Sequence, residues 1–241
     1  KLTIGGANSG TYGYLHIGGG IMSDVLLGAR ASHLSAGLGR PLAAGDAFAI
    51  GDDKGRETGL MLPRDGRFDG GVVHVVASMQ TEHFTHAERL RFTQTQFIRD
   101  PRANRVGVRM DHQGEGFHAE GGLSILSEVI VPGDIQITGD GAPFVLMVEC
   151  QTTGGYPRIG TVIPSDIPRV AQAAAGAPIM FEFLSLAEAI TLEIRHRDMI
   201  QALRSQVKQL IRNPRQIRNL LNYQLVGGIV SAWDDPFEKD I

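Results

Sequence analysis

A chain of 241 residues with 42% apolar content has enough material for a sizeable core in one or two domains. A net charge of −3 argues against a general nucleic-acid binder, and the single cysteine, Cys150, rules out an internal disulfide framework and fits a reducing cytoplasm. No apolar run is long enough to cross a bilayer and the opening residues do not read as a signal peptide, so a cytoplasmic protein is expected.

The chain starts at Lys1 and enters a strand-like Leu2-Thr3-Ile4 at once, which predicts that an N-terminal piece precedes it. Glycine supplies 31 residues and proline 11, a glycine share of about 13% against the usual roughly 7%. These glycines separate short β-like runs at 12–17, 47–50, 72–76, 105–109, 129–131 and 135–137, the pattern of a turn-rich barrel or sandwich. A short helix is predicted over 85–94. Another spans 167–175, with Asp166 as its N-cap and Gly176 as its stop. The absence of long βαβ alternation through the first 180 residues argues against a doubly wound sheet.

The C-terminal quarter changes character. Ser185 and Glu188 form a capping-box pattern, and Leu186, Ile190, Ile194, Ile200, Leu203, Val207 and Leu210 recur near helical spacing. The helix is predicted to run to Arg212, about 40 Å at ~1.5 Å per residue. Asn213-Pro214 ends it and opens a second helix using Ile217, Leu220 and Leu221. Gly227-Gly228 breaks that helix, 229–233 returns as a strand, and 234–241 is exposed. The basic residues of this quarter, Arg195, Arg197, Arg204 and Lys208 among them, read as a solvated face or a docking surface for an acidic partner.

One stretch stands out for chemistry. Gln151-Thr152-Thr153-Gly154-Gly155-Tyr156-Pro157-Arg158 follows an apolar run at 144–148 and packs an amide, two hydroxyls, a phenol and a guanidinium around two glycines. It reads either as a turn whose hydroxyls satisfy local backbone groups or as one wall of a site for a small polar molecule. As a site, Arg158 holds a carboxylate, Tyr156 stacks on a ring, and the amides near Gly154 and Gly155 face a developing oxyanion. Asn104-Arg105 before a strand is a second candidate, against a plain turn with a surface cation. Glu128 after Ser127 is a third; a partly buried carboxylate there suits general acid or base work, against a solvated strand-edge glutamate. His83 and His86 lack a third ligand at metal spacing, so no metal is expected. No nucleophile elbow or phosphate loop occurs, and Gly18-Gly19-Gly20 lies in a β context. Cys150 reads as a small buried residue.

Three blocks carry a family resemblance: Ala103-Asn104-Arg105-Val106-Gly107-Val108-Arg109-Met110, then Leu126-Ser127-Glu128-Val129-Ile130-Val131-Pro132-Gly133-Asp134-Ile135-Gln136, then the stretch from Gln151. In order and spacing they resemble the blocks of the family of the bacterial 5-oxoprolinase C subunit. That family is also labelled allophanate hydrolase subunit 2, biotin-dependent carboxyltransferase, or antagonist of the sporulation kinase inhibitor. Tyr14-Leu15-His16-Ile17-Gly18-Gly19-Gly20-Ile21 looks like a further family segment. Ala103 replaces the family's usual Ser and Val129 its usual Gly, and the family's first segment has no counterpart before Lys1.

The resemblance implies a mainly β fold of two cyclophilin-like β-barrels, the first incomplete, with a C-terminal helical segment. Residues 1–70 would be the β-rich part of the first barrel and 71–184 the second, carrying the motifs. Residues 185–241 would be the C-terminal helices and returning strand. The implied activity is ATP-dependent opening of 5-oxo-L-proline to L-glutamate, with a kinase-inhibitor-like B subunit and an A subunit as partners. In that reading Glu128 carries a proton, and Asn104, Arg105, Gln151, Thr152, Thr153, Gly154, Gly155, Tyr156 and Arg158 bind substrate. The alternatives are a carboxyltransferase drawing on biotin held by a separate carrier, and a non-enzymatic module that sequesters the B subunit. Relatives acting on urea carry Gly-Pro-Ser-Leu-Gly-Gly-Phe in place of the third block, which disfavours urea.

Overall fold

The computed structural model describes residues 3–7, 9–55, 58–122 and 125–210. Three two-residue strands come first: β1 (Ile21–Met22), β2 (Ala49–Ile50) and β3 (Leu60–Met61), with β1 and β2 paired antiparallel. No described residue before Gly70 is buried. The run at 12–17 is not a strand. The Gln172 side chain takes the Tyr12 N–H and donates to the Tyr12 carbonyl, so the groups a neighbouring strand would need are already paired.

Seven strands close into a barrel: β4 (Gly71–Val76), β5 (Phe97–Arg99), β6 (Gly107–Asp111), β8 (Asp134–Ile137), β9 (Pro143–Leu146), β11 (Arg158–Val162) and β12 (Pro178–Phe183). Around the ring the order is β11-β4-β12-β5-β6-β9-β8, and β8 returns to β11. Only the β12–β4 pair is parallel. Closure leaves no long edge to pair with another chain. Alternation supplies the core: Val73 and Val75, Ile135 and Ile137, and Ile179 and Phe181 point inward and are essentially inaccessible. Between β4 and β5, α1 (His86–Gln94) is capped by the Thr85 hydroxyl and sends Phe92 into the core. The Phe92 ring stacks on Phe181 at 4.9 Å and meets Phe117 edge-on at 5.6 Å. The mainly β expectation holds, and one barrel is closed.

β7 (Glu128–Val129) and β10 (Thr153–Gly154) form a separate antiparallel ribbon. After β11, α2 (Ile167–Gln172) ends three residues earlier than predicted, with Gly176 in the left-handed region at φ +81. Asp166 sits at its N-cap but makes no capping bond. Its carboxylate is drawn instead to the backbone N–H and ring Nδ1 of His74 on β4, at 2.8 and 2.7 Å.

Ser185 and Glu188 do form a capping box at the start of α3 (Leu186–Ala202). The predicted extension to Arg212 is not made. The Ser205 hydroxyl donates to the Ala202 carbonyl, and Lys208–Gln209 (β13) leaves the helix to pair with β3. The helix therefore spans about 26 Å at ~1.5 Å per residue. Its expected apolar face stays largely exposed, Leu186, Ile190, Ile194 and Ile200 included, and only Ala189 is buried. The second helix at 214–226, the strand at 229–233 and the tail lie outside the described residues.

Candidate functional site

The site grows from the outer face of β8. With Ile135 and Ile137 turned into the core, alternation aims Asp134 and Gln136 the other way, and both are still buried. Arg158 pairs with Gln136 in register across β11. The β7–β10 ribbon roofs this wall, held by the Ile130 N–H on the Thr152 carbonyl and the Ile125 N–H on the Gly155 carbonyl.

Arg158 is the centre of the arrangement. Its side chain is only 9% exposed. The Nε–H donates to Gln80 Oε1, Nη1 to the Val129 carbonyl and to Asp134 Oδ2, and Nη2 to Glu128 Oε2 at 2.8 Å. That engages four of a guanidinium's five N–H groups and leaves one on Nη2. Asp134 also accepts from the Val131 N–H and the Thr161 hydroxyl. Gln80 closes the circuit by donating to Glu128 Oε2 at 2.7 Å while accepting from the Arg158 backbone N–H. Glu128 is thus gripped through one oxygen, and its side chain remains 46% exposed at the ribbon edge.

The second and third sequence blocks meet in the ribbon, and the first is tied through its backbone to the segment that leads into the third. Asn104 Oδ1 accepts from the N–H groups of Val106 and Gly107, an Asx-type turn that delays the strand to residue 107. Gly107 is required because Phe144 lies across it, leaving no room for a Cβ. Arg105 is half exposed and donates to Glu149 Oε1 at 2.6 Å, and its carbonyl accepts the Glu149 N–H. Two residues on, Gln151 begins the stretch that pairs with Glu128 and Val129. So Glu128 and residues 151–158 share the ribbon and the wall beneath it, while Arg105 is tied to Glu149 just ahead of that stretch. Gln151, Thr152, Thr153 and Tyr156 are exposed, Gly154 and Gly155 are half-buried, and Arg158 lies beneath. The Asn104 side chain is spent on its own turn, and it borders a polar cleft of about 470 Å³ with Asp100, Arg102, Arg109 and Asp140. Burial and the Asp134 charge push the Cys150 thiol up, which leaves it no better a nucleophile than an ordinary cysteine.

Sequence reasoning missed Gln80, Asp134 and Gln136 as site residues. Asp134 and Gln136 sat in plain view within the second block, where a Pro-Gly turn followed by polar-apolar alternation was the available signal. Gln80 lies 78 positions from Arg158, and no local pattern links the two.

Residues 1–183 match the family described as carboxyltransferase domain, subdomain A and B. The chain is 30% identical over 207 residues to the 5-oxoprolinase C subunit of Haemophilus influenzae, covering 84% of this chain and 66% of that protein. It is 31% identical over 194 residues to the 5-oxoprolinase C subunit of Escherichia coli, covering 79% and 62%. The chain thus spans just under two thirds of the length of these relatives. The crystal structure of the K. lactis urea amidolyase superposes on 81% of this chain and 14% of that one, with a TM-score of 0.61 at 19% identity, a likeness of fold.

Proposed function

The chain belongs to the carboxyltransferase-domain family, subdomain A and B, and we propose that it works as the C subunit of an ATP-dependent 5-oxoprolinase that opens 5-oxo-L-proline to L-glutamate. The observation that carries this reading is the joining of the second and third blocks in one ribbon over Arg158, in a chain about 30% identical to two proteins named as the C subunit of 5-oxoprolinase. Residues 1–70 would then belong to a first barrel and 71–184 to the second. The working partners are a kinase-inhibitor-like B subunit and an A subunit.

The residues suit a lactam. A lactam carbonyl is a poor electrophile, so its oxygen must be activated before water attacks, and that oxygen needs donors in a site of low dielectric. Glu128 presents its second oxygen at the ribbon edge while Arg158 and Gln80 fix the first, a geometry for moving one proton to or from the ring nitrogen or the attacking water. The one N–H left on Arg158 Nη2, with Arg105, supplies positive charge near the substrate carboxylate. Tyr156, 44% exposed, offers a ring face, and Gln151, Thr152 and Thr153 border the mouth with their polar groups.

The cleft at Gly18-Gly19-Gly20 does not fit ATP. Around the Gly18-Gly19-Gly20 turn, the Asp53 carboxylate packs where a Gly18 Cβ would stand. Asp52 and Asp53 line the adjoining cleft against a single Lys54, a poor setting for a polyphosphate. ATP belongs to this reading at the level of the complex.

The test is a coupled ATPase assay of the co-purified three-subunit complex with 5-oxoproline, with urea and with no substrate. ATP turnover stimulated by 5-oxoproline alone is expected. The family's own description favours a second reading, carboxyl transfer from biotin on a separate carrier, and stimulation only by urea with bicarbonate and that carrier would establish it instead. No stimulation by any substrate would favour a non-enzymatic module that binds the B subunit.

A further inference from the structure

The wall beneath the ribbon holds one group with nothing to bind. Gln136 is 6% exposed, and its Nε2 has no hydrogen-bond partner. Its polar neighbours in the network, Arg158, Asp134, Gln80 and Thr81, each make bonds to named protein atoms. A buried amide donor without an acceptor is costly, and it is rare enough in native structures to call for an explanation. Its surroundings hold it directly beneath the ribbon. Nε2 faces Gly154, where a Cβ would lie 2.5 Å from the nitrogen and 3.1 Å from Ile130 Cδ1. Glycine at 154 is therefore what lets the amide nitrogen stand beneath the ribbon. The ribbon itself is two residues on each strand, with Glu128, Val129 and Thr153 exposed, and so short a pair is marginal by its own bonds.

From this geometry we infer that Gln136 is a substrate-binding residue whose Nε2–H groups receive the carbonyl oxygen of the lactam when the β7–β10 ribbon shifts to admit it. The inference rests on the 5-oxoprolinase reading and names a donor within it. The ligand class follows from the atom: a neutral amide N–H wants a neutral or partly anionic oxygen, and Gln136 stands beside Arg158 as its cross-strand neighbour. A ring with a carbonyl oxygen and a carboxylate could then meet an amide donor and the remaining guanidinium N–H side by side. As water adds to the carbonyl carbon the oxygen gains negative charge, so the same donor would contribute more in the reaction than in simple binding.

The experiment uses the reconstituted complex with Gln136→Met, which keeps the side-chain length and removes both donors. kcat and KM for 5-oxoproline and the melting temperature of the chain are read together. The expected result is a fall in kcat/KM of about 10²-fold, carried mostly by kcat. The melting temperature should be equal or higher, because an unpaired buried donor has been taken away. Gly154→Ala, which sets a methyl against Nε2, is expected to reproduce the loss with 5-oxoproline. Wild-type kcat/KM in Gln136→Met would overturn the inference, and so would a loss of activity accompanied by a lowered melting temperature. A wild-type complex that never hydrolyses 5-oxoproline would instead defeat the functional reading and remove the ligand assigned to Gln136 with it.

Discussion

At the scale of single residues, Arg158 shows how a side chain can matter to a site mainly by what it holds in place. It neutralises Asp134, which is 2% exposed, and it aims Glu128. Truncating it strands a buried carboxylate, which typically costs ~3–5 kcal/mol. Arg158→Ala is therefore expected to lose that much stability in urea denaturation, and Arg158→Ala with Asp134→Asn should recover part of it, since the stranded charge is gone. A double variant no more stable than the single one would mean that the pair is not coupled. Activity lost in Arg158→Ala speaks for substrate contact only when it exceeds the loss of folded protein.

Acid sensitivity is also a residue-scale property. Thr138 donates to Asp140 at 2.7 Å, the Ala142 N–H adds a bond, and Arg109 lies 2.8 Å away. Together they lower its carboxyl from 3.8 to about 2. A carboxyl lowered by folding adds stability that is complete above the unfolded value of 3.8 and disappears as pH falls through about 2. Asp140→Asn should lack this contribution, so its denaturation midpoint should converge on that of wild type between pH 4 and about 2. The side chain is 56% exposed, so the difference will be small and will shrink further in high salt. Parallel curves for the two proteins across that range would refute the assignment.

Among the elements, local signals and tertiary demands divide cleanly. The α3 capping box is legible because it is a four-residue pattern satisfied entirely within itself: the Ser185 hydroxyl takes the Glu188 N–H, and Glu188 returns to the Ser185 N–H. Ser185→Ala should cost about 1 kcal/mol, measurable as a lowered melting temperature with unchanged barrel packing. The far end of α3 is not legible. Helical periodicity continues to Leu210, yet β3 offers Lys208 and Gln209 a pairing edge, and Gly59 accepts the Leu210 N–H. The run at 12–17 misleads for the same kind of reason, since a glutamine 160 positions away binds Tyr12 through its backbone. The ribbon over the site is the functional counterpart: its two strands come from two separate sequence blocks, and neither block alone announces a pairing.

For the molecule as a whole, closure of seven strands around Phe92, Phe97, Phe117 and Phe181 supplies the stability on which the outer wall depends. Phe181 is 1% exposed and stacks on Phe92, so Phe181→Ala should cost ~3–5 kcal/mol in denaturant unfolding. A loss below about 1 kcal/mol would mean that the core relaxes around the cavity, and that the barrel is less tightly packed than its aromatic geometry implies. The mainly β class, the barrel strands β4, β6 and β8, the apolar run of β9 and the three blocks could be read from the sequence, because alternation, glycine punctuation and motif spacing are written along the chain. The pairing of the second and third blocks in one ribbon, the hold of Glu128, Asp134, Val129 and Gln80 on Arg158, and the unpaired amide of Gln136 could not. Each depends on which atoms stand within about 3 Å of one another after the barrel has closed, and hydrogen-bond partners tens of positions apart leave no periodic trace in the order of residues.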